Sequence, residues 1–207
     1  MMSASWYFDV ISPFAYLHWQ RLRPLLATHD IRPVPILFAA VLSAIGNRGP
    51  AEIPAKRVFT YQHVAWRAQR DGIPLTFPPA HPFNPVAALR TAVAADAHPD
   101  VIDALFTHIW ARGQAGDSIE ALAPVLAAAH LSPADVEAPA IKARLRADTD
   151  AAIAAGVFGV PTLRVGEALF WGEDAHDFAL AALADPGLLD TPGMQRLARL
   201  PVGAARP

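Results

Sequence analysis

Strand-like apolar runs are confined to the two ends of this chain. The stretch between them, from about Val41 to Ala155, is alanine-rich and repeats with helical period. Val86, Leu89 and Val93 share one helix face, as do Val101, Leu105 and Ile109, and then Ile119, Leu122, Val125 and Leu126. Ser5–Ile11 is aromatic and β-branched and reads as a buried central strand. Ser12-Pro13 follows at once as a helix start, since the hydroxyl can cap a backbone N–H and proline has none to satisfy. Ile31–Phe38 is a second strand, placed at a sheet edge because Pro33 and Pro35 cannot donate to a ladder. Near the other end, Thr162–Val165 and Ala168–Trp171 form a hairpin turning at Gly166-Glu167. A helix then starts at Gly172-Glu173-Asp174, with Asp174 as its cap, and runs to about Ala184.

The order βαβ, helical block, ββα predicts an α/β protein in which the two ends complete one small mixed sheet. Residues 1–40 and 156–190 form that discontinuous unit, 41–155 an inserted helical domain, and 191–207 a tail with one short helix after Thr191-Pro192. Inside the insertion, Ser132-Pro133-Ala134-Asp135 starts another capped helix, and Pro74–Pro85 reads as an ordered wall rather than a linker.

Composition removes several classes of function. A net charge of −2 with no block of Lys or Arg leaves no surface suited to nucleic-acid phosphates. Pro, Arg, His or Asp interrupts every apolar run before the ~20 residues a membrane helix requires. No basic stretch precedes an apolar one at the N-terminus, so a secretory signal is not expected. The chain has no cysteine, which excludes disulfides, thiolate metal sites and redox chemistry on its own sulfur. The expectation is a cytoplasmic, globular protein acting on a small molecule, without nucleic acid or membrane as partner.

Common catalytic signatures are missing, among them Gly-x-Ser-x-Gly, a phosphate loop and His-Glu-x-x-His. The 8 histidines never fall three or four residues apart, so no helix offers a two-histidine metal face and no metal is expected. Three stretches stand out: Asp9-Val-Ile-Ser12-Pro-Phe-Ala-Tyr16-Leu, Gly156-Val-Phe-Gly159-Val160-Pro161-Thr162, and Phe170-Trp171-Gly172-Glu173-Asp174. In order and spacing, together with Gly46-Asn47-Arg48, Pro54-Ala55-Lys56, Gly72-Ile73-Pro74 and Phe77–Arg90, they resemble the 2-hydroxychromene-2-carboxylate isomerases and their kappa-class glutathione transferase relatives. The resemblance runs from about residue 6 to 184 and implies a thioredoxin-like fold with a large helical insertion.

It further implies glutathione as cofactor, with Ser12 facing its sulfur where thioredoxins carry a reactive cysteine. By the same resemblance Pro161 is cis and Val160 pairs its backbone with the cysteinyl part. Glu173 and Asp174 hold the γ-glutamyl end, Asn47 lies near the organic substrate, Lys56 near a carboxylate, and Asn84 on the substrate wall with Phe83, Trp66 and Trp110. The resemblance also implies a homodimer, although no feature of the sequence itself shows one.

Two departures matter. Ala175 stands where relatives carry an arginine for the glutathione carboxylate, with His176 as the nearest substitute, and His63-Val-Ala-Trp66-Arg67 replaces an Asp-Leu-x-Arg-Trp pattern.

The physical chemistry of Ser12 agrees with this assignment. A thiol of pKa about 8.5 is about 3% ionised at pH 7, and lowering it two units takes about 2.7 kcal/mol. A helix N-terminus supplies about 0.5–2 kcal/mol, and a hydroxyl hydrogen bond to the anion a comparable amount. Ser12 as the nucleophile would require an adjacent base, and His18 lies six positions along the same helix, facing elsewhere. An ordinary helix cap is the plainer role for Ser12, and it is compatible with the first. The implied reaction is isomerisation of an aromatic-derived unsaturated 2-oxo acid by thiolate addition, rotation and elimination. Conjugation or peroxide reduction, as in kappa-class transferases, and glutathione binding without catalysis are the alternatives.

Overall fold

A computed structural model describes residues 3–204. Strand β1 (Ala4–Phe8) leads into helix α1 (Pro13–Leu22), and β2 (Ile31–Pro35) follows a short 3-10 turn. Next come α2 (Phe38–Ala44), α3 (Pro54–Asp71), α4 (Val86–Ala94), α5 (Pro99–Phe106), α6 (Ala123–Ala128), α7 (Pro133–Glu137) and α8 (Pro139–Ala154). The hairpin β3 (Thr162–Val165) and β4 (Ala168–Trp171) precedes α9 (His176–Ala184) and α10 (Pro192–Leu197).

The four strands are ordered β2-β1-β3-β4. β1 runs parallel to β2, with Ala4 opposite Ile31, and antiparallel to β3, with Trp6 opposite Leu163. The two chain ends thus share one mixed sheet and the helices between them are the insertion, as the element order predicts. β1 is central and apolar because both its faces are covered. Trp6 and Phe8 point to one side, where Trp6 stacks on Phe8 (4.5 Å between rings) and on Trp19 of α1 (5.3 Å), beside Phe106 of α5. Tyr7 points to the other side and packs with Val34, Ile36, Val41, Ala152, Val157 and Val160. The larger core joins residues of the sheet, α1 and α9 to Leu89, Ile102, Leu105, Phe106 and Trp110 of the insertion.

The edge position of β2 follows from its prolines in a specific way. Ile36 N–H donates to Phe8 O across the β1–β2 pair, so even-numbered residues turn their polar groups inward. Pro33 and Pro35 therefore stand where a donor would face outward. Both strands are shorter than the apolar runs. β1 stops at Phe8 because Asp9 turns the chain, and β2 stops at Pro35, three residues before Phe38 begins α2.

Helix ends behave as their chemistry dictates. Ser12 Oγ accepts from Ala15 N–H with Pro13 at the first position. Ser132 and Asp135 form a reciprocal capping box, and Thr191 caps α10. Gly72 ends α3 in the left-handed region (φ 67°). One cap differs from expectation. Glu173–Ala175 forms a 3-10 turn and α9 begins at His176, so Asp174 is not the cap and its side chain is free of that duty. The Ile119–Leu122 repeat is turn rather than helix, α6 starting only at Ala123. No described helix is long and apolar enough to cross a membrane.

Candidate active site

The loop from β1 into α1 is held from three directions. Asp9 is fully buried and turns its carboxyl back on the chain, one oxygen accepting from Ile11 N–H (3.0 Å) and the other from Phe38 N–H (2.9 Å). Its own carbonyl accepts from Ser12 N–H at 3.1 Å. Burial pushes the Asp9 carboxyl up to about 7, against the opposing pull of those two backbone donors. The indole of Trp110 donates to Val10 O at 2.8 Å, and His81 Nε2 donates to Ile11 O at 2.9 Å. Because a carbonyl only accepts, the His81 proton sits on Nε2 and Nδ1 faces the Tyr61 hydroxyl, 2.7 Å away. Burial holds the His81 imidazole below its ordinary pKa. These clamps deliver Ser12, 8% exposed, to the N-terminus of α1 with its hydroxyl proton uncommitted.

Beside this helix end lies a cavity of about 220 Å³. Phe14 of α1 forms one wall and His63 and Arg67 of α3 another. Val160 and Pro161 form the third, with the turn Trp171–Asp174 closing it. The Val160–Pro161 bond is cis. Pro161 O accepts from Gly172 N–H, and among the described residues no hydrogen bond engages the N–H or C=O of Val160. Gly159 lets the Trp171 indole lie against the backbone, since a Cβ there would fall 2.3 Å from its nitrogen. Gly172 (φ 99°) is needed for the turn, as a Cβ would meet the Asp174 carboxylate.

Charge at the far corner is arranged differently from the sequence expectation. Glu173 is 2% exposed, and its carboxylate accepts from Arg67 Nη2 at 2.5 Å and lies 3.5 Å from Arg21 Nη1. Arg21 continues to Asp177 at 2.7 Å. Two guanidiniums thus balance Glu173, and the exposed Asp174 is the carboxylate of the cavity without such a partner. His176 is no substitute for an arginine at position 175. It is buried, and its Nδ1 faces His18 Nε2 at 3.0 Å. His18 Nδ1 accepts from the Trp6 indole, which fixes the His18 proton on Nε2 as the donor to His176. Burial lowers the His18 imidazole to about 3, with His176 and Arg21 adding to the effect.

Val160, Pro161, Glu173 and Asp174 therefore line one cavity, and Ser12 caps the helix whose Phe14 forms part of its wall. Asn47, Lys56 and Asn84 do not line the cavity. Asn47 is exposed and accepts from Arg48 N–H. Asn84 is exposed and accepts from Val86 N–H at the start of α4. Lys56 is exposed seven residues before His63, on the same side of α3. Of the proposed wall, Trp110 is buried in the core, whereas Trp66 is exposed beside His63. A smaller hollow of about 130 Å³ lies behind β2, where Arg144 pairs with Asp96, away from Ser12.

Residues 5–184 match the family model for the DsbA-like thioredoxin domain. The 2-hydroxychromene-2-carboxylate isomerase of Pseudomonas putida is 35% identical over 185 residues, covering 84% of this chain and 90% of that protein. The chain belongs to the 2-hydroxychromene-2-carboxylate isomerase family, within the DsbA-like thioredoxin proteins. A solved 2-hydroxychromene-2-carboxylate isomerase structure superposes with a TM-score of 0.79 at 28% identity, over 91% of this chain and 98% of that one. Glutathione S-transferase kappa 2 of Caenorhabditis elegans is 29% identical over 178 residues, 77% of this chain and 79% of that protein.

Arg67, His63, Trp171 and His81 were not singled out as site residues from sequence. The pair His63 and Arg67 left one trace, the departure from the family pattern in that stretch, and their four-residue spacing puts both on one helix face.

Proposed function

We propose that this protein is a glutathione-dependent isomerase of 2-hydroxychromene-2-carboxylate or a similar aromatic-derived unsaturated 2-oxo acid. The observation that carries the reading is the free hydroxyl of Ser12 at the N-terminus of α1, the helix whose Phe14 shares a cavity with a cis proline, in a chain without a thiol. The residues suit the tripeptide on chemical grounds: an uncommitted hydroxyl and a helix end for sulfur, a backbone N–H and C=O at Val160 for the cysteinyl amide, and a charged corner for an amino-acid terminus. When bound, glutathione supplies the thiolate whose reversible addition turns the conjugated double bond into a single one and permits rotation.

The chain's own residues bind, orient and balance charge. Ser12 donates to the sulfur while the α1 dipole favours its negative charge. Asp9, held by burial near neutrality, carries only part of a negative charge near pH 7 and opposes that anion less than an ordinary carboxylate. Asp174 meets the γ-glutamyl ammonium and Arg67 its carboxylate, with Glu173 fixing the guanidinium. Lys56, on the side of α3 that carries His63, and Asn47 are assigned to the substrate carboxylate and Asn84 to the substrate wall, all three outside the lining of the cavity itself.

The test is conversion of the chromene acid to its open-chain trans product, followed by absorbance with and without glutathione. Loss of glutathione dependence overturns the reading. A second reading is supported by the kappa-class relatives, namely conjugation of electrophiles, and a chloronitroarene assayed alongside separates the two. Calorimetry distinguishes both from a binding module, which would hold glutathione and turn over neither compound.

A further inference from the structure

His63 differs from the buried histidines of this protein in having no protein partner. The ring nitrogens of His18, His81, His108 and His176 are engaged by indole, carbonyl, hydroxyl or imidazole groups. The contacts of His63 are with aromatic faces, and among the described residues nothing hydrogen-bonds either of its nitrogens. Its ring lies edge-on to Phe14 at 5.7 Å, 5.6 Å from Phe59 and stacked 6.1 Å from Trp66. Phe59 and Trp66 are 66% and 55% exposed, large apolar surfaces left open at the mouth of the cavity. Phe59, His63 and Arg67 succeed one another every four residues along α3. They run from this open aromatic surface to the charged corner at Glu173, with His63 at the junction.

Among the described residues that line the cavity, His63 and Asp174 are the groups with a lone pair free to take a proton and return it. Glu173 is held by two guanidiniums, and Ser12 Oγ accepts from Ala15 and directs its proton elsewhere. Asp174 is given to the glutathione ammonium in the reading above, and of the two it is His63 that touches the open aromatic surface of Phe59 and Trp66. We infer that His63 is the catalytic residue that moves the proton in opening the substrate's hemiketal ring, a step that rests on the isomerase reading above. A flat bicyclic acid laid on Phe59 and Trp66 brings its oxygen-bearing edge to the imidazole. The free ring nitrogen takes the proton of the 2-hydroxyl as the carbonyl forms. The bond from that carbon to the ring oxygen breaks and leaves its electron pair on the phenolic oxygen. The same nitrogen then delivers the proton to that oxygen, so the imidazole ends as it began and no other reactant is needed. General acid–base assistance of this kind contributes typically 10²–10⁴-fold.

The test uses His63→Ala and His63→Phe in the full chain. The Phe variant keeps an aromatic ring among Phe14, Phe59 and Trp66 but cannot carry a proton. Both variants should lose at least about 100-fold in turnover, while calorimetric affinity for glutathione stays within threefold of the parent. Imidazole in the buffer should restore the rate of His63→Ala saturably, filling the space the side chain left. A His63→Phe variant that turns over like an active parent overturns the assignment and leaves the isomerase reading standing. An unmodified protein inactive on the chromene acid with glutathione present overturns the reading and this step with it.

Discussion

The indole of Trp110, in the inserted helices, donates to the carbonyl of Val10, in the loop that delivers Ser12, at 2.8 Å. A side chain from a wide π-type turn (Thr107–Ala111) thus fixes backbone at the other end of the sequence. Trp110→Phe keeps most of the core packing and leaves that carbonyl without its donor. A loss of about 1–3 kcal/mol is expected, read as a lowered midpoint in urea. Turnover should fall more than glutathione affinity, because the loop and not the charged corner is loosened. An unchanged urea midpoint would mean that water or a relaxed loop replaces the bond.

Ser12→Ala removes both the cap on Ala15 N–H and the hydroxyl offered to sulfur. Stability should fall by about 0.5–2 kcal/mol, and turnover at least tenfold in a protein that remains folded by circular dichroism. Glutathione-dependent rates equal to those of the parent would remove Ser12 from the mechanism.

Two buried groups give opposite pH dependences. The Asp9 carboxyl is raised to about 7, so between about 4 and 7 the folded state holds a proton that the unfolded state releases, and stability falls as pH rises. His18 is lowered to about 3, so between about 6.5 and 3 the unfolded state takes a proton the folded state refuses, and stability falls as pH drops. Relative to Asp9→Asn, the parent should lose stability from pH 4.5 to 7. Relative to His18→Gln, it should lose stability from pH 6.5 to 4.5. Urea titrations of the three proteins across that range check both slopes, and a reversed sign for either identifies the charge state that was misassigned.

Glu173→Gln removes the nearer counter-charge of Arg67, which is largely buried, and leaves it only Asp71 at 3.8 Å. Removing one member of such a pair costs about 3–5 kcal/mol, and glutathione affinity should fall with it because the guanidinium loses its anchor. Thermal melting and calorimetry measure the two effects separately. Gly159→Ala should weaken glutathione binding with little loss of secondary structure, since the new methyl displaces the Trp171 indole.

The fold was legible because it is written in period. Helical spacing through the middle, β-branched runs at both ends, Ser-Pro starts and two prolines in one strand are local signals, and they led to the right elements except at Ile119–Leu122, which is turn. The helix start at Ser12 and the cis Val160–Pro161 bond were legible from motif. The partner of Glu173 was not, because Arg67 lies 106 positions away and reaches it only through the packing of α3 against α1. Separations of 100 and 158 positions likewise hid the bond from Trp110 to Val10 and the pairing of His18 with His176. Asp174 looked like a cap by its position after glycine, but the chain spends that turn as 3-10 helix and leaves the carboxylate free.

Pro33 and Pro35 place their ring nitrogens on the outer rim of β2, and the inward-facing positions keep every donor for β1. A stray polypeptide drifting against that flank finds carbonyls but no hydrogens at those two positions, so it cannot zip on as a further strand. The protein should therefore tolerate crowded, concentrated solutions at this flank without growing sheet from molecule to molecule, and a tag or fusion partner attached nearby should not be recruited into its architecture.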